Sequence, residues 1–244
     1  MRNSDIWLDL AAACALLTRL PLRAPDAAFK RGARSTWAFP IVGALTGGLA
    51  AGTGCIALAI GLPAPIAALA AMAITTITTG AIHEDGLADS ADGLWGGWSP
   101  ERRLEIMKDS QIGSYGVIAL IFAMAARWIA ITTLLTTAPL ALMAAAALSR
   151  AVMPVIMATL PHARSNGLSH ATGRPNGLTV VIGLAIAILI CLLTTPQTPL
   201  LLIIAATTTA TVALIAKRKI NGQTGDILGA TQQVTEIALL TALI

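Results

Sequence analysis

Long apolar runs separated by short connections are the feature that most constrains this chain. Seven stretches, residues 37–60, 65–82, 112–135, 139–160, 178–195, 199–216 and 227–244, are long enough to cross a bilayer, which takes roughly 20 apolar residues in helical form. In lipid every backbone N–H and C=O must be satisfied within the protein, so such runs close as helices. Only 11% of the 244 residues are charged and 56% are hydrophobic, against roughly 25% charged in a soluble domain. That excludes a soluble enzyme, a disordered chain and a disulfide-stapled secreted domain. The apolar bulk is Ala, Leu, Ile and Thr with only 4% aromatics, which suits a helix bundle better than an alternating barrel. The expectation is an all-α polytopic transmembrane helix bundle of about seven spans, forming one domain over residues 1–244. Residues 6–17 are too short and carry Asp9, so they read as an interfacial or re-entrant helix, with an eighth span as the alternative.

The connections alternate in charge. Those at residues 61–64, 136–138 and 196–198 have none, whereas those at 19–35, 83–111, 161–177 and 217–226 hold thirteen of the sixteen basic residues. Cytoplasmic loops collect Lys and Arg, so the charged side is expected to be cytoplasmic. The net charge of +4 then reflects orientation, not a nucleic-acid partner. Cys14, Cys55 and Cys191 all lie in apolar stretches with no metal-ligand spacing, as small hydrophobes do. The first span carries Gly43-x-x-x-Gly47 and Gly48-x-x-x-Gly52, a spacing that lets helix backbones approach unless the glycines are merely tolerated.

Seven of the twelve acidic residues fall in one segment: Glu84, Asp85, Asp89, Asp92, Glu101, Glu105 and Asp109. On a helix Asp85, Asp89 and Asp92 stand at i, i+4 and i+7, on one face within about 60°. Three like charges there repel and require a counter-charge, which a hard divalent cation supplies through oxygen ligands. The carboxylate donors favour Mg²⁺, with Mn²⁺ as a possible substitute, over zinc. His83 reads as an orienting or capping group, with ligation as the alternative. An EF-hand order is absent, and so are a Walker loop and a G-x-G-x-x-G turn. A solvated acidic turn is the bland alternative.

Arg127, Arg150 and Glu236 lie inside spans, joined by Gln232 and Gln233. Ionisable residues are costly in lipid and face a polar cavity or each other. Either Arg150 pairs with Glu236 structurally, or the arginines clamp phosphate with their guanidinium forks. Lys108, Arg164 and Arg174 could line an anion path beside them or simply serve orientation. Carboxylates, a divalent cation and arginines at one membrane face together point to chemistry on a phosphate ester or anhydride.

The run TGAIHEDGLADSADGLWGG at 79–97 resembles the signature of the cobalamin 5'-phosphate synthase family, the adenosylcobinamide-GDP ribazoletransferases. So do SPERRLEIMKDSQIGSYG at 99–116, TRLPL at 18–22, FPIVG at 39–43, the stretch from Arg164 to Gly167 and Leu168, and GDILGATQQ at 225–233 followed by Glu236. The resemblance covers essentially the whole chain in order. It implies a Mg²⁺-using integral membrane enzyme at the cytoplasmic face of the bacterial inner membrane. Its reaction would join α-ribazole, or α-ribazole 5'-phosphate, to adenosylcobinamide-GDP with release of GMP, and other cobamide-assembly enzymes are possible partners. Carried over residue by residue, it assigns catalytic work to Glu84, Asp85, Asp89 and Asp92 and metal binding to these four with Asp109. Arg127, Arg150, Arg164, Asp226, Gln232 and Glu236 match family positions that would frame the substrate cavity, and His83 and Lys108, read from the residues alone, join them as candidates for substrate contact. A weaker similarity links Asp89-x-x-Asp92-Gly93 to the D-x-x-D-G start of the CDP-alcohol phosphotransferases, but the Ala-Arg expected after the glycine is missing. The rival readings are a transporter or channel with a cytoplasmic divalent-cation site, and an assembly scaffold that docks through the acidic loop.

Overall fold

The computed structural model describes residues 3–244, with side chains from Asp5 onward. Among them the chain is helical throughout, with no strand beyond a single parallel bridge between His162 and Gln223. In order, the helices are α1 (Asn3–Leu17), α2 (Asp26–Phe29), a 3-10 segment (Gly32–Ala38) running into α3 (Phe39–Ala59), α4 (Ala64–Thr79), α5 (Ile82–Gly96), α6 (Pro100–Ile106), α7 (Ser114–Thr137), α8 (Ala141–Ala151), α9 (Met153–Thr159), α10 (Leu168–Thr172), α11 (Gly177–Thr194), α12 (Thr198–Ile220) and α13 (Gly225–Ala242).

All seven apolar runs are helical, yet only five form segments long and apolar enough to cross a membrane alone: 32–59, 114–137, 141–159, 177–194 and 198–220. The structure thus holds five such segments, or six if the bent pair α4–α5 crosses as one broken span, against about seven expected. Helix α4 has 16 residues, about 24 Å at 1.5 Å per residue, which falls short of the ~30 Å hydrocarbon core. It meets α5 at 87°, so α5 does not continue it as a straight span. That bend is made by two consecutive left-handed residues, Gly80 at φ 65° and Ala81 at φ 56°, a conformation that costs a non-glycine residue about 1 kcal/mol or more. Helix α13 is apolar at its end but carries Asp226, Gln232, Gln233 and Glu236, and all but its first turn is largely buried. It is shielded from lipid by protein and does not need to be apolar. The segment expected as an acidic loop is two helices, α5 and α6.

Small residues set the packing. Gly43 and Gly47 lie against the backbone of α8, where a Cβ on either would come within 2.8 Å of the Cα of Ala147 or Met143. Gly48 touches only the flexible end of Met143, and a Cβ on Gly52 would meet nothing within 4 Å. One of the two glycine motifs is a helix seam and the other is not. Helix α1 is tied down by a buried Asp9, which accepts from the Arg31 guanidinium at 2.6 and 3.0 Å and from the Trp37 indole at 2.9 Å. A 15-residue helix with a charge on its buried face can dock on the bundle this way, as the interfacial reading requires.

Candidate functional site

The acidic segment meets the GDILGATQQ segment where α5 crosses α13. Gly86 faces Asp226 and Gly229 so closely that a Cβ on Gly86 would stand 2.9 Å from the Asp226 carbonyl oxygen. A Cβ on Gly229 would stand 3.3 Å from the Cα and the carbonyl oxygen of His83. Only glycine permits this approach, and it brings carboxylates 140 positions apart in the chain to one place.

At the open rim of the crossing, Asp85 is exposed while Asp89 and Asp226 are half-buried. Burial, followed by repulsion from Asp85, Asp226 and Asp92, pushes the Asp89 carboxyl up to about 7. Asp226 is likewise raised, chiefly by burial, although Arg164 and the Thr224 hydroxyl oppose this. The Arg164 Nη2 donates to Asp226 Oδ2 at 2.8 Å, while its buried Nη1 has no partner. Thr224 caps α13, its Oγ1 accepting from Ile227 N at 3.3 Å and donating to Asp226 Oδ2 at 3.2 Å. The positive end of the α13 dipole thus opens on the rim. Three carboxylates face one guanidinium there, leaving negative charge uncancelled.

Beneath the rim the charges cancel. Arg127 Nη1 donates to Glu84 Oε1 at 2.8 Å, and its Nη2 lies 3.3 Å from Glu236 Oε1. Arg150 Nη1 donates to Glu236 Oε2 at 3.2 Å and to the Ala146 carbonyl at 3.0 Å. Gln232 donates to Glu236 and, at 3.1 Å, to Ser149 Oγ; Gln233 donates to Gln232 Oε1 at 3.1 Å. Two carboxylates and two guanidiniums, all buried, form a neutral network joining α5, α7, α8 and α13. The structural pair of Arg150 with Glu236, one of the two sequence alternatives, is the one the geometry contains. Glu84 Oε1 and both Glu236 oxygens engage these arginines, while Glu84 Oε2, Arg127 Nε and Arg150 Nε have no partner.

The carboxylates expected as one metal set are therefore divided. Asp85 and Asp89 are at the rim, where Asp226 joins them. Glu84 turns inward to Arg127. Asp92 is buried, with Oδ2 accepting from Gly113 N at 2.7 Å and Oδ1 from Gly116 N at 2.9 Å. It satisfies the free N–H groups at the start of α7, as a carboxylate at a helix N-terminus does. Asp109 and Lys108 are exposed in the turn after α6, and Asp109 accepts only from the nearby Gln111 N at 3.1 Å. His83 is buried with neither ring nitrogen partnered. Burial and the nearby Arg150 and Arg127 hold its pKa well below the usual imidazole value, so the ring is neutral. Ser149 and Thr224 were not visible as site residues from sequence. No spacing marks a serine that faces a glutamate 87 positions away.

Among the described residues no three His, Cys, Asp or Glu side chains converge as a ready-made metal cage. The donor chemistry of the rim still fits Mg²⁺, which is commonly held by one or two carboxylates together with substrate phosphate oxygens and water. An Asp raised to about 7 by burial and then by its acidic neighbours is a carboxylate that a divalent cation would return to its charged form.

Comparison with known proteins identifies the family. A family model described as cobalamin-5-phosphate synthase matches residues 9–244. A relative from Bradyrhizobium diazoefficiens, named adenosylcobinamide-GDP ribazoletransferase, is 45% identical over 97% of this chain and 93% of its own. Relatives of the same name from Azorhizobium caulinodans and Rhizobium etli are each 42% identical, over 98% and 100% of this chain and 96% and 98% of their own. No solved structure matches. With a match along nearly its full length and a crossing built from the motifs that carried the resemblance, the chain belongs to the cobalamin-5-phosphate synthase family.

Proposed function

We propose that this chain joins α-ribazole, or its 5'-phosphate, to adenosylcobinamide-GDP at the α5–α13 rim and releases GMP. It is a transferase of cobalamin biosynthesis, as the family establishes, and not a transporter, channel or scaffold. The observation that carries the reading is the uncancelled charge at the rim, where Asp85, Asp89 and Asp226 face Arg164 with its free Nη1. The acceptor hydroxyl attacks the cobinamide-bearing phosphorus of the diphosphate. A new P–O bond forms, the P–O bond of the anhydride breaks, and GMP leaves with the electron pair. The hydroxyl proton passes to a rim carboxylate or to water. Arg164 Nη1 and the α13 N-terminus are placed to receive phosphate oxygens. Asp85, Asp89 and Asp226 would hold Mg²⁺, which when bound neutralises phosphate charge and stabilises the leaving group. The buried network below keeps α5 and α13 in register. The basic connections support a rim at the cytoplasmic face of the inner membrane.

The test is an assay of purified protein with adenosylcobinamide-GDP and each acceptor. GMP release that stops with a chelator and returns with Mg²⁺ supports the reading. Release unaffected by chelation removes the cation from it, and absence of release with both acceptors overturns it.

A further inference from the structure

A basic cleft opens at the start of α11, between the turn that joins α2 to the 3-10 segment and the turn that joins α10 to α11. It encloses about 520 Å³ and is lined by Lys30, Arg31 and Arg34 on one side and by Arg174, Asn176 and Thr179 on the other. Two left-handed glycines shape it, Gly32 at φ 50° and Gly173 at φ 86°. A Cβ on Gly32 would stand 2.8 Å from the Thr172 carbonyl oxygen, so glycine is what lets the two turns meet. No carboxylate lines the cleft. Arg31 is neutralised by Asp9 at 2.6 and 3.0 Å and by Asp5 at 3.5 Å. Lys30 and Arg34 are exposed, and neither side chain has a partner among the described residues. Arg174 is fixed by its Nε and Nη2, which donate to the Met157 and Ala158 carbonyls at 3.3 and 2.6 Å and leave Nη1 unpaired. Three uncancelled cations around one cleft select an anion, and an anchored guanidinium suits phosphate. Basic residues that served orientation alone would need neither the anchored arginine nor the glycine-shaped walls.

Position selects the source of the phosphate. Helix α11 is long and apolar enough to cross a membrane, and Leu178, Val181, Leu189, Leu192 and Leu193 are exposed along it, so that face meets lipid. Its far end joins the uncharged connection at 196–198. The cleft therefore lies where a span leaves the hydrocarbon, on the side that collects basic residues. Exposed Phe29 lines the cleft, and Leu178 follows directly on its α11 side. A free anion gains nothing from these apolar flanks, whereas acyl chains do. Basic pockets between helices on the cytoplasmic side hold anionic headgroups in this way. We propose that the cleft binds the phosphate of an anionic phospholipid through Lys30, Arg34 and Arg174, with the acyl chains lying along α11. The proposal does not depend on the transfer reading.

The test titrates the full chain, in an uncharged detergent, with dioleoylphosphatidylglycerol and reads the melting midpoint. Dioleoylphosphatidylcholine and inorganic phosphate form separate arms. Phosphatidylglycerol should raise the midpoint saturably, and phosphatidylcholine should not. The double variant Lys30→Gln with Arg34→Gln removes two exposed, unpartnered charges, so the fold should persist while the apparent affinity falls at least tenfold. Arg34→Gln alone should weaken it about fivefold, as the loss of one charge near a lipid surface does. Lys217→Gln with Arg218→Gln removes two exposed charges from another basic connection and should stay within twofold of wild type. No shift with phosphatidylglycerol, or an equal shift with phosphatidylcholine, overturns the proposal. So does an equal loss in the two double variants, which would mean diffuse attraction to negative charge and no site. A saturable shift with inorganic phosphate that the Lys30 and Arg34 substitutions abolish would make the cleft a free-anion site and overturn the lipid assignment.

Discussion

Two clusters of charge flank the same helix crossing and are built to opposite rules. In the network of Glu84, Arg127, Glu236 and Arg150, each carboxylate meets a guanidinium, and Ser149, Gln232 and Gln233 take up further bonds. At the rim, Asp85, Asp89 and Asp226 share one Arg164. A balanced cluster has its net charge cancelled without a ligand and holds helices together, even though Glu84 Oε2, Arg127 Nε and Arg150 Nε have no partner. An unbalanced one is raised in energy until something positive arrives. The difference separates residues that shape the site from residues that touch phosphate, although both kinds carry the same side chains and lie within a few positions of one another.

The largest effect that would break this contrast is in the network. Glu236→Leu leaves Arg150 buried without its carboxylate and Arg127 with Glu84 alone, a change that typically costs about 3–5 kcal/mol. The protein should be poorly recovered, with a sharply lowered melting midpoint in detergent. A normally folded variant that had lost only activity would move Glu236 to the rim class. Next is Asp92→Asn, which the sequence alone suggests is harmless to the fold because it relieves repulsion. The structure corrects this, since both Asp92 oxygens accept backbone N–H groups and the amide can offer only one acceptor. A stability loss of about 1–2 kcal/mol is expected, in the range of a lost helix cap, visible as a lower melting midpoint at any Mg²⁺ concentration. Arg164→Ala should do less to stability, because the pair it breaks is more exposed than the network pairs, at 16% and 18%, but should raise the donor KM in the release assay. An unchanged KM would remove Arg164 from phosphate binding.

The smallest effect is on pH dependence. A carboxyl whose folded pKa lies above its unfolded value stabilises the fold below the unfolded value and loses that contribution as pH rises through the folded one. With Asp89 raised from 3.8 to about 7, chelator-treated protein should lose some thermal stability between pH 4 and pH 7. Asp89→Asn should flatten that slope, as should added Mg²⁺. A slope unchanged by both would mean that burial and neighbouring charge do not raise the Asp89 carboxyl.

How much of this was legible in the sequence follows from range. The helical spacing of Asp85, Asp89 and Asp92 was local and readable, whereas the pairing of Arg150 with Glu236 was one of two readings that the in-span charges Arg127, Arg150 and Glu236 left open. That Asp92 serves α7 was not readable, because its partners lie 21 and 24 positions on and are backbone amides. The bend at Gly80 and Ala81 decides whether α5 extends a span or turns across the bundle, and no propensity predicts a left-handed alanine. The two glycine motifs of α3 look identical in sequence. They begin five residues apart, about 140° around a helix, so only one could face α8. The short α4 and the polar α13 show why the span count fell, since protein burial can replace apolar composition.

The central claim is that the rim carries the chemistry and the network carries the fold, and Asp89→Asn tests it most directly. Its rate of GMP release from adenosylcobinamide-GDP should be measured at saturating Mg²⁺ alongside its melting midpoint. The substitution removes the charge that would hold a hard cation, and losing such transition-state stabilisation typically costs about 3 kcal/mol, or roughly a hundredfold in rate. The account predicts a fall of that size or more with a midpoint equal to or above that of wild type. A near-wild-type rate, or a rate loss accompanied by a lowered midpoint, would contradict it.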